Sequence, residues 1–138
     1  MNAKAYLQRV YRLNELINSD LAELEELRAL ATSITPGDVS KDKVQGNAQN
    51  DKIGNIVAKI VDLNTEINNE IDEYVDFKKE VRTKIMLVPD NTEKLILKYR
   101  YLEFLTWEQI AVNLNYTFQW VHVLHKRALK NFEKILNT

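Results

Sequence analysis

Seven side chains near the C-terminus have types and spacing suited to chemistry. Gln119, His122, Val123 and Lys126 recur at helical spacing on one face of the segment that starts at Phe118. A glutamine amide can make two hydrogen bonds to an adenine edge, and a valine can touch a thymine methyl. Arg127, Lys130 and Lys134 follow with the geometry of phosphate ligands, which supply affinity and salt dependence rather than sequence. Trp120 is placed to lie along a sugar-phosphate wall, and Phe118 either points at a base or folds back onto the apolar arc it borders. The chemistry implied is non-covalent recognition of double-stranded DNA, with Phe118, Gln119, His122 and Val123 facing bases and Trp120, Lys126, Arg127, Lys130 and Lys134 facing phosphates.

Other chemistries have less to stand on. His122 and His125 are spaced i, i+3, but no third metal ligand accompanies them and His125 falls on the apolar arc. The chain has no cysteine, which excludes disulfides and thiolate metal sites. No carboxylate pair, glycine-rich phosphate loop or nucleophile–base pair stands at a recognisable spacing, so no enzyme activity, metal or cofactor is expected.

The elements that must position these residues are helical. Only 3 Gly and 2 Pro occur in 138 residues, and 45% of the chain is hydrophobic. Thr106 with Gln109 forms a capping box for one helix, and Thr117 caps the next, which runs to about Leu136. Between them Asn115 stands where a tight turn needs a left-handed residue, which asparagine tolerates better than most. Ile110, Ala111 and Leu114 give the first helix of this pair an apolar side. Val121, Leu124, Ala128, Leu129, Phe132 and Ile135 give the second one its core face. Asp90 with Glu93 opens a helix upstream, TEKLILKYRYLEF.

Two longer helices precede this unit. From Asn2 to about Thr32 the seam is Val10, Leu13, Ile17, Leu24, Leu27 and Ala31, with Asp20 on the same line. Pro36-Gly37 stops that helix, and residues 33–50 read as a loop. The second runs from about Asp51 to Leu87, with Ile53, Val57, Ile60, Asn64, Ile67, Ile71, Tyr74, Lys78, Val81 and Ile85 as its seam. Asn64 and Lys78 are polar residues at core-like positions; they either fix register or lie at the seam edge and reach water.

The fold expected is all-α: a long antiparallel helical hairpin over 1–88, then a compact helix-turn-helix unit over 89–138. Both hairpin helices have wide apolar arcs. Leu7, Leu16, Leu21 and Leu30 on one, and Ile56, Leu63, Val75 and Phe77 on the other, would face water in an isolated hairpin. Either the C-terminal unit covers part of this surface or, as expected here, the hairpin forms a homo-oligomer, in the simplest case a dimer. No apolar run is long enough to span a bilayer, and the default expectation is a cytoplasmic protein without a membrane partner. Net charge is −1, but the balance is uneven. Residues 1–88 carry 12 Lys+Arg and 15 Asp+Glu, whereas Phe118–Thr138 carries 4 and 1.

Residues from about Glu93 to Leu136 resemble region 4 of bacterial sigma factors. The resemblance rests on Tyr99-Arg100-Tyr101, on Trp107-Glu108-Gln109-Ile110-Ala111, and on Val121, Leu124 and Arg127-Ala128-Leu129. The whole chain is also similar to a family of uncharacterised proteins from phages and prophages of Gram-positive bacteria. In these a helical pair containing a VAKIVDL-like segment, here Val57 to Leu63, precedes a sigma-like helix-turn-helix. These are similar to the ArpU- and RinA-type phage transcriptional regulators. The resemblance implies base contacts at Phe118, Gln119 and Val123, and phosphate contacts at Trp120, His122 and Lys126. It departs from the family pattern at Phe118 and Trp120, where polar or basic residues are common. The function implied is sequence-specific transcriptional regulation of phage or prophage genes in a bacterial host cell. A DNA-packaging protein of the small-terminase kind is one alternative; a module that binds RNA polymerase or another regulator without reading bases is the other.

Overall fold

A computed structural model describes residues 2–33 and 43–138 of the chain. All regular structure among them is helical: α1 (Ala3–Ser33), α2 (Lys43–Ile85), α3 (Asn91–Leu97), α4 (Trp107–Leu114) and α5 (Phe118–Leu136). The fold class expected from periodicity is therefore the one observed. Packing divides the chain into two compact units: Met1–Asn14 together with Glu73–Thr138, and Glu15–Asp72.

The first unit has a core to which α1, α2, α3 and α5 contribute. Leu7 and Val10 of α1, Val81 and Ile85 of α2, and Ala128 and Phe132 of α5 are fully buried in one cluster, with Leu97, Tyr101 and Leu102 beside them. The start of α1 runs antiparallel to the end of α2. Tyr6 Oη donates to Glu80 Oε2 at 2.8 Å, and Arg9 donates to Glu73 Oε1 at 3.3 Å. Arg9 also lies over the Phe77 ring, 4.4 Å from its centroid, while Tyr6 meets the same ring edge-on. A boundary at 88/89 thus follows chain order but not packing: the ends of the two long helices share a core with the C-terminal helices. The physical reason is that Phe132 and Ala128 are covered by Leu7, Val10, Val81 and Ile85 of the long helices as well as by Leu97, Tyr101 and Leu102.

In the second unit Leu24 of α1 packs with Leu63 and Ile67 of α2, with Leu27 and Ile60 at the edge. The expected α1 seam is matched by buried Val10, Ile17 and Leu24. On α2 the expected seam holds at Ile67, Val81 and Ile85, which are buried, while its alternate positions move back by one residue. Leu63 and Phe77 are buried, Val57 and Ile71 are exposed, and Asn64 and Lys78 sit half-buried at the edge. The observed line keeps the same period of seven with its three- and four-residue steps exchanged, so Leu63 and Phe77 take the core places read for Asn64 and Lys78. α2 also starts earlier than expected, at Lys43 rather than about Asp51. The remainder of the expected loop, including the Pro36-Gly37 stop, lies outside the described residues.

α3 does not continue as an ordinary helix. From Lys98 to Leu102 the backbone is π-helical, and the Glu103 N–H reaches back to the Lys98 carbonyl at 3.0 Å. The widened turn puts the neighbours Tyr101 and Leu102 both in the core. Phe104 then takes a left-handed backbone, φ 59°, before Thr106 opens α4. For a bulky side chain that conformation is strained by roughly 1–3 kcal/mol. Nothing in the sequence pattern signals it.

Candidate nucleic-acid interface

The helix-turn-helix is built from capped pieces. Thr106 Oγ1 accepts from the Gln109 N–H while the Gln109 side chain accepts from the Thr106 N–H, a complete reciprocal cap. α4 ends at Asn115, whose φ of 59° and ψ of 42° are left-handed, as its residue type implies. Thr117 Oγ1 accepts from the Trp120 N–H and fixes the first turn of α5. Asp90 caps α3 through the Glu93 N–H, but the Glu93 carboxylate does not close a box. It is buried, and Oε1 accepts from Asn131 Nδ2 at 2.7 Å, tying α3 to α5. Glu93 was expected to act only as a cap; its partner, 38 residues away, is invisible to local spacing.

α5 divides as its periodicity predicts. Val121, Leu124, Ala128 and Phe132 are buried. Val121 and Leu124 meet Ile96 of α3 and Ile110 and Ala111 of α4. On the outer face Gln119, Val123 and Lys126 are exposed at i, i+4 and i+7, one stripe along the start of the helix. Because the inner face is locked in the core, this stripe is held rigidly outward. Arg127, Lys130 and Lys134 are exposed too, and they line one shallow groove of about 790 Å³ with Glu93 and Glu133. The two carboxylates dilute the positive field there, so Lys126 stands in the less compensated position.

The aromatic residues occupy definite places. Phe118 meets the His122 ring edge-on, with centroids 4.5 Å apart, and remains 42% exposed, so it both folds back and faces solvent. His122 is half-buried between Phe118 and Trp107, the latter 4.8 Å away. Its ring thus packs on two neighbours and keeps part of its surface open to solvent. Trp120 is exposed and carries the Arg127 guanidinium 5.4 Å above its ring. That contact pre-positions a cation beside the helix start.

His125 is buried on the opposite side, at 6% exposure. Its Nε2 and Tyr101 Oη are hydrogen-bonded at 2.7 Å, and Trp107 meets its ring edge-on at 4.5 Å. Burial above all, then the positive charges of Lys4, His122 and Arg100, lowers its pKa to about 4. Burial likewise pushes the Tyr101 hydroxyl up to about 12. The pair is therefore neutral through the physiological range. In the unfolded chain His125 takes a proton as pH falls through 6.5, whereas the folded chain resists until about 4. Stability from this site is present above pH 6.5 and is lost as pH falls from 6.5 towards 4. Ring NMR should show His125 titrating near 4, and His125→Gln should flatten the stability loss over that window. A midpoint near 6.5 would contradict the burial argument.

Among the described residues no group of three or more His, Cys, Asp or Glu gathers where it could hold a metal. No described helix is long and apolar enough to cross a membrane. Neither a curated protein nor a solved structure matches the chain. A family match covers residues 33–133, which take in α2 to α4 and most of α5. By that match the chain belongs to the family described as protein of unknown function (DUF1492).

Proposed function

We propose that this chain is a sequence-specific DNA-binding transcriptional regulator, of phage or prophage genes, that places the start of α5 in the major groove. One observation carries the reading. Gln119, Val123 and Lys126 form an exposed stripe on a capped helix whose other face is fixed in the core by Val121 and Leu124. A rigid helix with a polar, base-compatible stripe near its N-terminus is what major-groove reading requires. The resemblance to sigma region 4 and to ArpU- and RinA-type regulators supports the same role. The work proposed is recognition rather than catalysis.

The second unit fits a self-association role. Leu16, Leu21 and Leu30 of α1 and Val57 and Val61 of α2 are all more than 40% exposed. Leu7, Leu63 and Phe77, which an isolated hairpin would also have exposed, are buried and drop out of that surface. Pairing of two copies through these helices would present two recognition helices together, and the operator would then contain two half-sites.

One further observation favours a module that binds RNA polymerase or another protein. Val112 is 78% exposed, and Tyr116, Phe118, Trp120 and Val123 add apolar surface around the turn. Mapping protected sites across host and phage genomes separates the readings. Paired half-sites beside promoters are the expected result. Sites confined to a packaging origin would point to the small-terminase alternative, and no protected site would leave the protein-binding module.

A further inference from the structure

A cleft of about 590 Å³ opens in the first unit, and its lining is unlike the rest of the surface. Its charged residues are Lys4, Arg12 and Arg100, with no carboxylate among the lining side chains. The chain as a whole has 20 acidic residues against 19 basic ones, so an all-cationic lining is a selective feature. Lys4 and Arg12 are exposed and make no ion pair among the described residues. Arg100 is held in place: it donates to the Leu105 carbonyl at 3.0 Å and lies 4.5 Å over the Trp107 ring.

The remaining wall is aromatic. Tyr11, Tyr101, Phe104 and Trp107 line it, and Gln8 is its one amide. Lys4, Gln8, Tyr11 and Arg12 stand at i, i+4, i+7 and i+8, so a single face of α1 supplies one side. The other side comes from the π-helical segment and from the left-handed Phe104. Widened helical turns and strained backbone both cluster at ligand sites. Here two such features adjoin one cleft. Of the lining residues, Tyr101 is hydrogen-bonded to the buried His125.

Cations call for an anion, and the ring-lined wall calls for a planar apolar group. The size lies within the range of small-molecule sites, about 300–1,000 Å³. Inorganic phosphate would use the cations and leave the rings uncovered; an acidic peptide would do the same. We propose that this cleft binds a nucleoside phosphate, its phosphate on Lys4 and Arg12 and its base against the exposed Tyr11 ring, beside Trp107. The site is distinct from the start of α5 and does not depend on that helix reading DNA. The same unit can come from a free nucleotide or from an unpaired nucleotide of a single strand.

The chain has two tryptophans, so a Trp120→Phe background leaves Trp107 as the sole indole reporter. The probes are adenosine and guanosine mono- and triphosphates, a short oligothymidylate and inorganic phosphate. Saturable quenching of Trp107 by a nucleotide probe is expected. Lys4→Ala with Arg12→Ala should weaken it about tenfold or more while thermal unfolding stays unchanged, since both residues are exposed. Arg12→Gln alone should give a smaller loss. Quenching by free nucleotides identifies a soluble ligand; quenching by the oligonucleotide alone identifies a single strand. The proposal is overturned by no saturable quenching with any nucleotide probe. It is equally overturned by unchanged binding in the double variant, or by inorganic phosphate binding as tightly as the nucleotides.

Discussion

Phe132→Ala should lower unfolding free energy by about 3–5 kcal/mol. Phe132 has no exposed surface and lies in the cluster that joins α1, α2, α3 and α5. Its ring is tilted against Tyr6, 6.0 Å away, and close-packed neighbours cannot fully collapse into the space it would leave. Urea unfolding of the full chain measures the loss; a change below about 1 kcal/mol would show that α5 does not bury this face. Val123→Ala, one turn into the same helix but exposed, should stay within about 0.5 kcal/mol. The same packing has a second consequence. A fragment beginning at Pro89 lacks Leu7, Val10, Val81 and Ile85, so it would expose Phe132 and Ala128. The C-terminal helices keep the Ile96–Ile110–Val121–Leu124 cluster to themselves but depend on the ends of the long helices to cover Phe132 and Ala128.

Lys126→Ala combined with Lys130→Ala should weaken binding to every DNA duplex and flatten its salt dependence. Each phosphate contact contributes about 0.9 to the slope of log affinity against log salt, so losing two should reduce it by roughly 1.8. Affinity near physiological salt should fall about tenfold. Both side chains are exposed, so the fold should be unaffected. Lys126 is expected to account for the larger part, because Lys130 shares its groove with Glu93 and Glu133. Titrations at several salt concentrations decide the matter. An unchanged slope would remove this face from DNA docking.

Much of this architecture was legible in the residues. Thr106, Gln109, Asn115 and Thr117 specify their caps and turn because the required chemistry is local. The α5 core face was legible for the same kind of reason: a 3.6-residue period over 19 residues leaves little ambiguity. The α2 seam was less so, since a slip of one residue exchanges Leu63 for Asn64 and Phe77 for Lys78, and each pair sits side by side in sequence. The rest depends on partners distant in sequence. Glu93 meets Asn131, Tyr101 meets His125, and Phe104 is held left-handed where its ring meets Tyr11 at 5.5 Å. The packing of His122 between Phe118 and Trp107 needs both helices in place before it can be seen. One signal lies in the first turns of α1: Lys4, Gln8, Tyr11 and Arg12 share a helix face, which reaches its first acid at Glu15.

The central claim is that the start of α5 reads base sequence, and selection from a random duplex library tests it most directly. The full chain should enrich a defined motif. Gln119→Ala should then lose discrimination at one position of it, by roughly 1–3 kcal/mol, while the other positions persist. Gln119 is exposed and its removal leaves the core of α5 intact, so a change of motif reports on reading rather than folding. Failure of the full chain to enrich any motif, or an identical motif from Gln119→Ala, would contradict the account.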